Sequence, residues 1–446
     1  MENLIQVKKS SFDETSQYFE TNSYIRTNKG IDEFISLLPF IIEFKSNSLH
    51  LVINIFAAYY RSFNDIKIQN RIKNQLFFQL FHIPSRNESI LNIQGNISSA
   101  NNNPIVSRSF VRAYFLRGLF DSSVYTIYEI VNNIHKFWEI AHSASTKSSL
   151  YKYIDQTSLV SLLVWFAPEL DQISNTFYND LCEIAKKMMC SRKLPKTYLP
   201  LITKIDFYRN EGNWAKLQER ISKKESANPM IKILKSDDVK ALQLFFTKSK
   251  RQAKDVSLLH LPILDISHNP YWILHYSSTL LHVAAFFGSN KCFDYILNTY
   301  HNNIDIMEQN EIGLDVFDFA GAGNSKEIIL NLKKRNYNVS KSIRMAFLFH
   351  HNELAHFLCN EYKISPQSFL PEIIASNNTS ALSSNVFKDL PEFQFSAEQL
   401  FEISAYYGSF LFIDSNSENI SKTAIEKMLL IATEHGHAEF VKKILD

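Results

Sequence analysis

The chain has 446 residues, of which 45% are hydrophobic and 13% aromatic, and its 47 Lys and Arg against 45 Asp and Glu give a net charge of +2. These values exclude general disorder, and a charge so close to zero excludes a global attraction to nucleic acid or to an acidic membrane. Only 10 residues are glycine, far below the average share of about 7%, which argues against glycine-rich phosphate loops and favours a mostly helical chain.

The cysteines and the N-terminus indicate the cellular setting. The four cysteines form no Cys-x-x-Cys pair, and we interpret them as reduced residues of an intracellular protein. The N-terminus has no apolar run, so no secretory signal is predicted. The most apolar region, 34–60, is interrupted by Pro39, Glu43 and Lys45, so we expect no transmembrane segment and a soluble, cytoplasmic protein.

The N-terminal half shows helical stripes without a clear period. Apolar side chains recur at helical spacing over 49–60 and again over 76–81. The segment 165–169, Trp-Phe-Ala-Pro-Glu, predicts a helix end or a turn, because Pro168 cannot donate a backbone hydrogen bond. We predict an irregular α-helical domain over residues 1–225.

A repeating pattern follows over residues 226–446. A degenerate helix pair is predicted to turn at Asp237, with the apolar stripe of its second helix at 241–245. Residues 248–277 are predicted to be an insertion, since Pro262 and Pro270 oppose a continuous helix.

The clearest unit begins at Thr279 and reads Thr-Leu-Leu-His-Val-Ala-Ala-Phe-Phe-Gly to Gly288. It matches the Thr-Pro-Leu-His-x-Ala start of an ankyrin repeat. The Thr279 hydroxyl can cap the helix, and Gly288 can supply the left-handed residue that ends it. The next stretch places Cys292, Phe293, Ile296 and Leu297 on one apolar stripe of a second helix.

The same register can be followed to the end of the chain. The residues predicted to end equivalent first helices are Gly288, Asn324, His350, Asn378, Gly408 and Gly436. Their uneven spacing departs from the ankyrin average of about 33 residues. The sequence therefore predicts an all-α protein: an ankyrin-repeat α-solenoid of about seven degenerate units, preceded by the helical N-terminal domain.

The chain resembles a group of protozoan ankyrin-repeat proteins that carry a helical domain of unknown function before the array. The resemblance is carried by the segments 165–169, 213–216, 228–229, 236–238 and 284–293. It implies a non-enzymatic, intracellular interaction protein, and it supplies no catalytic residues. The chain departs from the pattern at Leu280, where the family has proline, and in the missing glycines of the middle repeats.

Several groups imitate chemical sites. His350-His351-Asn352-Glu353-Leu354-Ala355-His356 resembles a zinc-protease helix, but His351 and His356 are five residues apart and diverge on a helix. The histidines at 260, 268, 275 and 282 have no accompanying carboxylate or thiolate cluster. We predict no bound metal.

Two pairs of acids also have a structural explanation. Asp237 with Asp238, and Asp315 with Asp318, fall at predicted turns and helix starts, where acids favour the helix dipole. No nucleotide-binding or nucleophile-elbow motif is present. The sequence predicts no catalytic residues, no cofactor and no nucleic-acid partner.

The predicted function is protein–protein interaction through the concave face of the array. Residues just before each helix end are expected on that face, and the candidate partner-binding residues are Phe286, Phe287, Leu348, Phe349, Tyr406, Tyr407, Glu434 and His435. Whether the N-terminal domain covers Phe286 and Phe287 stays open, as do the partner and the oligomeric state. Two alternatives remain: a diverged enzyme in the N-terminal half, and an architectural adaptor of the membrane skeleton or cytoskeleton.

Overall fold

The computed structural model describes residues 12–44, 49–81, 105–143, 149–190, 198–212, 214–223, 229–248, 271–276, 278–378, 380–381, 397–409, 421–434 and 437–445. The regular structure in these ranges is helical, with no strand among them, which confirms the all-α class. Described residues within Met1–Ser85, Asn101–Glu225 and His268–Ile273 form one compact unit, and those within Ser226–Ser267 and Leu274–Asp446 form a second. Every helix in the described ranges is too short or too polar to span a bilayer.

The first unit is built around one long helix. Its helices are α1 (Phe12–Thr21), α2 (Asn28–Phe44), α3 (Leu49–Arg61), α4 (Ile66–Phe81), α5 (Ile105–Asp121), α6 (Ile127–Ser143), α7 (Ser149–Ile173), α8 (Asn175–Cys190), α9 (Tyr198–Asn210) and α10 (Trp214–Lys223). Helix α7 packs against α5, α6, α8, α9 and α10, while α2 and α3 pack against α5. The stripes at 49–60 and 76–81 lie on α3 and α4, as expected.

Helix α7 kinks at the segment in which the sequence predicts a helix end or turn. The kink lies at Phe166, whose φ and ψ are −125° and 17°, and the chain is helical again through Pro168 to Ile173. Pro168 has no N–H to bond the carbonyl four residues earlier. Arg117 of α5 donates to the Trp165 carbonyl at 3.2 Å and to the Glu169 carboxylate at 2.8 Å, so one buried guanidinium supports the kink.

A second buried arginine joins distant parts of the first unit. Arg112 donates to the carboxylate of Glu43 through Nε at 2.8 Å and Nη2 at 2.6 Å, and to the Leu80 carbonyl through Nη1 at 2.9 Å. The backbone carbonyl of Glu43 accepts from the Trp272 indole at 2.9 Å. Trp272 is fully buried. Residues 271–273 of the predicted insertion thus belong to the first unit, and Trp272 lies in its core.

The second unit is a succession of helix pairs. Its helices are α11 (Pro229–Lys235), α12 (Val239–Lys248), α13 (Leu280–Phe287), α14 (Asn290–Thr299), α15 (Val316–Ala322), α16 (Lys326–Lys334), α17 (Ser342–Leu348), α18 (Asn352–Tyr362), α19 (Leu370–Ala375), α20 (Ala397–Tyr407), α21 (Lys422–Glu434) and α22 (Ala438–Leu445). Helices α11, α13, α15, α17, α19, α20 and α21 pack one on the next in this order, and we call them the inner row. Helices α12, α14 and α16 form a parallel outer series.

Inner-row helices end at a residue with left-handed backbone, as the register predicts. Gly288, Asn324, His350 and Gly408 have φ between 58° and 66°, and Asp237 has φ of 50°. The prediction of Asn378 is wrong by one residue, because Asn377 takes this conformation with φ of 54°. Gly436 lies outside the described residues.

At five of these turns the residue after the left-handed position bonds to the end of the preceding inner helix. The His351 imidazole donates to the Ala322 carbonyl at 2.9 Å, the Asn378 amide to Phe347 at 2.8 Å, and the His437 imidazole to Tyr406 at 2.9 Å. The Ser289 hydroxyl donates to the Leu234 carbonyl, and the Ser409 hydroxyl to the Asn377 side chain at 3.1 Å. We call these five residues, Ser289, His351, Asn378, Ser409 and His437, the turn ladder. Four of them donate to carbonyls in the last turn of the preceding inner helix, where a helix has fewest internal donors.

Two glycines allow α15 to approach its neighbours closely. A methyl group on Gly323 would overlap the backbone of Phe286 in α13, and one on Gly321 would overlap the backbone of Ser342 in α17. Both sites therefore require glycine for space, although neither glycine has a positive φ.

We expect Asn378→Ala to destabilise the second unit. The Asn378 side chain is completely buried, and its loss removes the bonds of its amide to the Phe347 carbonyl and to the Asn352 side chain. Each such hydrogen bond contributes about 0.5–1.5 kcal/mol, so we expect a loss of about 1–3 kcal/mol. Urea unfolding followed by far-UV circular dichroism measures the loss. The exposed Lys334→Ala serves as the control, and equal midpoints for the two variants would contradict the role of the ladder.

We expect Arg112→Met to destabilise the first unit by about 3–5 kcal/mol, because it leaves the buried Glu43 carboxylate without its countercharge. All four tryptophans, at 138, 165, 214 and 272, belong to this unit, so tryptophan fluorescence reports its unfolding. The matched control is Arg71→Met. Its partner Asp32 is 34% exposed, and we expect a loss of about 1 kcal/mol or less. Similar losses for both variants would refute the argument.

Candidate functional site

The structure buries most of the predicted partner-binding residues. Phe286, Leu348, Phe349 and Tyr407 are each at most 3% exposed. Nearly every side chain of α13, α15, α17 and α19 is also buried. The expectation that these four residues offer a free binding face does not agree with the structure, since a side chain inside the molecule cannot contact a partner.

Two of the predicted residues keep partial exposure. Phe287 and Tyr406 are half-buried, each packed edge-on against its neighbouring aromatic ring. The side chain of Glu434 and all of His435 lie outside the described residues. A binding role for Phe287 and Tyr406 stays a prediction.

Within the described ranges the inner row is exposed at both ends, at Pro229, Lys232 and Lys235 of α11 and again on α20 and α21. On α20, Glu398 and Gln399 are exposed and Glu402 is half-buried. Lys427 of α21 bonds the Glu402 carboxylate at 2.6 Å, and Ser421 bonds Glu398 at 2.8 Å. The accessible side chains of α20 named here are therefore polar, and two of them bond Lys427 and Ser421. The side chains of α13, α15, α17 and α19 are nearly all buried.

The clearest sequence motif forms a capping box. The Thr279 hydroxyl accepts from the His282 backbone N–H at 3.3 Å, and His282 Nδ1 accepts from the Thr279 N–H at 3.2 Å. Its other nitrogen, Nε2, then donates to the Glu308 carbonyl at 3.1 Å. Burial lowers the pKa of His282 to about 4. The histidine is neutral at neutral pH and both of its nitrogens are used, so its role is structural.

Asp315 and Asp318 form the equivalent capping box on α15. Asp315 accepts from the N–H groups of Phe317 and Asp318, and Asp318 accepts from the N–H of Asp315. Lys341 binds the Asp315 carboxylate at 2.9 Å, and Arg344 lies 3.4 Å from that of Asp318. Burial raises the pKa of Asp318 to about 6, against the effect of Arg344. The acids cap a helix, as the sequence indicated.

Glu372 of α19 is a third buried acid in the same unit. Its side chain is 3% exposed, and burial raises its pKa to about 7, with Arg344 acting in the opposite direction. No sequence pattern indicates this residue, because its burial depends on how α19 packs against α17 and α20.

The histidines of the zinc-like segment bond to the backbone. His351 belongs to the turn ladder, and His350 Nε2 donates to the Ser376 carbonyl at 3.0 Å. His356 packs edge-on against the Phe347 ring. Within the described ranges, no three His, Cys, Asp or Glu side chains gather as a metal site would require.

The first unit carries a surface groove that the sequence did not indicate. It has a volume of about 460 Å³ and is lined by Tyr128, Glu129, Val131, Asn132, His135, Ile173, Ser174 and Phe177. The Glu129 carboxylate accepts hydrogen bonds from the Lys73 ammonium and from the backbone N–H and hydroxyl of Thr126. The His135 side chain is 44% exposed. The titratable groups of this groove are therefore at the surface.

Comparison of the chain with models of protein families, with curated proteins and with solved structures finds no match.

We expect Glu372 to lower the stability of the second unit as the pH rises from about 4.5 to about 7, a contribution that His282, whose pKa burial lowers from 6.5 to about 4, offsets in part over the same range. Folding raises the pKa of Glu372 above its ordinary value of 4.5, so the unfolded chain releases this proton first. The loss reaches about 3 kcal/mol above pH 7, and Asp318 acts in the same direction. Glu372→Gln should flatten this dependence.

Urea unfolding between pH 5 and pH 8, followed by circular dichroism, measures this dependence. The exposed Glu327→Gln is the control and should keep the slope of the unchanged chain. A Glu372→Gln variant with the same slope as the control would show that Glu372 does not cause it.

Proposed function

We propose that the protein is a non-enzymatic interaction scaffold whose second unit is an ankyrin-type array. The observation that carries this proposal is the recurring turn of the inner row: a left-handed residue followed by a side chain that bonds to the preceding turn. The capping box of Thr279 and His282 and the packing of each inner helix on the next in chain order add support. These features also support placing the chain with the protozoan ankyrin-repeat proteins that it resembles.

An array of this kind functions as a binding surface. Each helix pair contacts its neighbours, so the side chains of successive pairs form one extended face instead of a closed cavity. The accessible parts of the inner row are α11 at its start and α20 and α21 at its end, and of these only α20 carries a partly exposed aromatic ring among the described residues, that of Tyr406. We place the binding face on α20 and α21 for that reason. We propose that a protein partner binds there, with Tyr406 as the aromatic anchor at the edge of the face.

The two alternatives are weaker. An enzyme in the first unit would use the groove beside α6, but Glu129 is neutralised by Lys73 and His135 lies at the surface, where perturbed catalytic groups are not expected. An architectural adaptor would contact several partners weakly, and the experiment below separates it from a scaffold with one principal partner.

We further propose an intracellular location. Cys292 and Cys359 are free and buried, and burial raises the pKa of each thiol to about 12. Both are therefore protonated, unreactive core residues of the kind found in reducing compartments.

Tyr406→Ala tests the proposed face. The substitution removes the half-buried ring but keeps the backbone carbonyl that accepts from His437. In affinity purification from the source cell, we expect one principal protein with the unchanged chain and at least about ten-fold less of it with Tyr406→Ala, as expected for an aromatic anchor.

Tyr362→Ala on the outer helix α18 is the matched control and should leave recovery unchanged. Recovery of the same protein in equal amount with Tyr406→Ala would contradict a partner-binding site on α20. Several weak partners, none dependent on Tyr406, would favour the architectural adaptor.

A further inference from the structure

The groove of the first unit has an apolar floor and aromatic walls. Val131 of α6 and Phe177 of α8 form the floor and are at most 5% exposed. The Phe177 ring packs edge-on against His135, with ring centroids 4.8 Å apart, and against Trp138 at 5.8 Å. Tyr128 lines the groove near the start of α6 and is 69% exposed. Its ring is therefore available to supply a large contact area to a ligand.

Three hydrogen-bond donors line the same groove. In the described part of the chain, the Tyr128 hydroxyl and the Asn132 amide bond no other residue. The Ser174 hydroxyl accepts from the Phe177 N–H at 3.3 Å, which leaves its own proton free to donate. Two of the donors thus belong to α6, and the third lies between α7 and α8. A ligand with free carbonyl groups can bond to all of them.

The lining of the groove is close to neutral in charge. Its carboxylate, Glu129, is paired with Lys73 of α4, and no lysine or arginine is among the described residues that line it. Glu139 lies 3.5 Å from His135 but is 57% exposed, so water screens its charge. An acidic or basic ligand would bury its charge against the apolar floor without a countercharge, which is costly. Charge complementarity therefore selects an uncharged ligand.

The three donors distinguish an extended ligand from a helical one. The carbonyls of a helix bond internally, so a helical ligand leaves the donors unused. A β-strand pairs with the edge of a sheet, and the regular structure of the described residues is helical. A polyproline II segment has no internal hydrogen bonds, so its carbonyls are free to accept.

The spacing of two aromatic rings also matches this conformation. Tyr128 and His135 are seven residues apart on α6, which separates them by about 10.5 Å along the helix axis. One turn of a polyproline II helix has three residues and spans about 9.3 Å. Two prolines three residues apart can therefore contact both rings.

We propose that this groove binds a proline-rich segment of another protein in the polyproline II conformation, with prolines against Tyr128 and His135. Aromatic-lined grooves recognise such segments, because the preformed conformation loses little entropy on binding. The volume of about 460 Å³ is that of a site for a short segment. No Pro-x-x-Pro occurs in the 446 residues, which argues against a second copy as the occupant.

The test uses the full chain and two labelled 12-residue peptides. One peptide consists of four Pro-Pro-Ala triplets. The other consists of four Gly-Ser-Ala triplets, which are equally uncharged but flexible. Fluorescence anisotropy should detect binding of the proline peptide and at least about ten-fold weaker binding of the flexible one, since only the first presents prolines in a preformed conformation.

Tyr128→Ala should weaken binding of the proline peptide by at least about ten-fold, because it removes one of the two rings that contact proline. Asn132→Ala should weaken it by about two- to ten-fold, the effect of one hydrogen bond. Phe207→Ala is the matched control, since Phe207 is 56% exposed on α9 of the same unit and does not line the groove. It should leave binding unchanged, and circular dichroism checks the helix content of all three variants.

No binding of the proline peptide, equal binding of the two peptides, or equal binding to Tyr128→Ala and to the unchanged chain would each overturn the proposal. A dimer in light scattering that Tyr128→Ala dissociates would show that a second copy is the occupant, which also overturns it. The proposal goes beyond the array, because the groove belongs to the first unit. Tyr406→Ala should therefore bind the proline peptide as the unchanged chain does, so failure of one proposal is distinguishable from failure of the other.

Discussion

The second unit depends on how the C-terminal carbonyls of its inner helices are satisfied. Each helix end leaves carbonyl groups without an internal partner, and burying them unpaired is costly. The chain reverses through one left-handed residue, and at four turns the next side chain bonds a carbonyl at the end of the preceding inner helix. One device thus ends a helix, reverses the chain and joins neighbouring pairs.

This constraint explains which residue types occur at the left-handed position and at the position after it. The left-handed position accepts Asn, His or Asp as well as Gly, because the strain at one residue is modest and the surrounding bonds hold it. The following position accepts Ser, Asn or His, which share only a donor of suitable reach. At Ser325 the hydroxyl instead lies against Gly288 and makes no hydrogen bond within the described ranges. The same turn geometry therefore recurs although the residues at its two positions differ.

The sequence predicted the parts of the second unit that depend on local chemistry. Thr279 and Gly288 could be identified because a cap and a helix end need only neighbouring residues. The register failed by one residue at Asn377-Asn378, where two adjacent asparagines can fill either role, and only the position of the Phe347 carbonyl decides between them. No sequence pattern indicated that Gly321 and Gly323 must be glycine, because this requirement comes from the close approach of two other helices. The burial of Leu348 and Tyr407 was missed for the same reason, and that of Phe286 stayed open, since exposure is a property of the assembled chain.

The core contacts of the first unit could be predicted from the sequence even less well. Its core polar groups meet across long stretches of sequence, with Glu43 joined to Arg112 and to Trp272, and no periodic pattern connects such residues. In the second unit the polar contacts between pairs recur at the position six residues before the left-handed residue, so they can be compared along the chain. Asp318 and Glu402 hold this position and are joined to basic residues of the next inner helix. The buried Asp318 makes its neighbour specific, because a buried charge without a partner is costly, whereas Glu402 is half-buried and its pairing with Lys427 is screened by water.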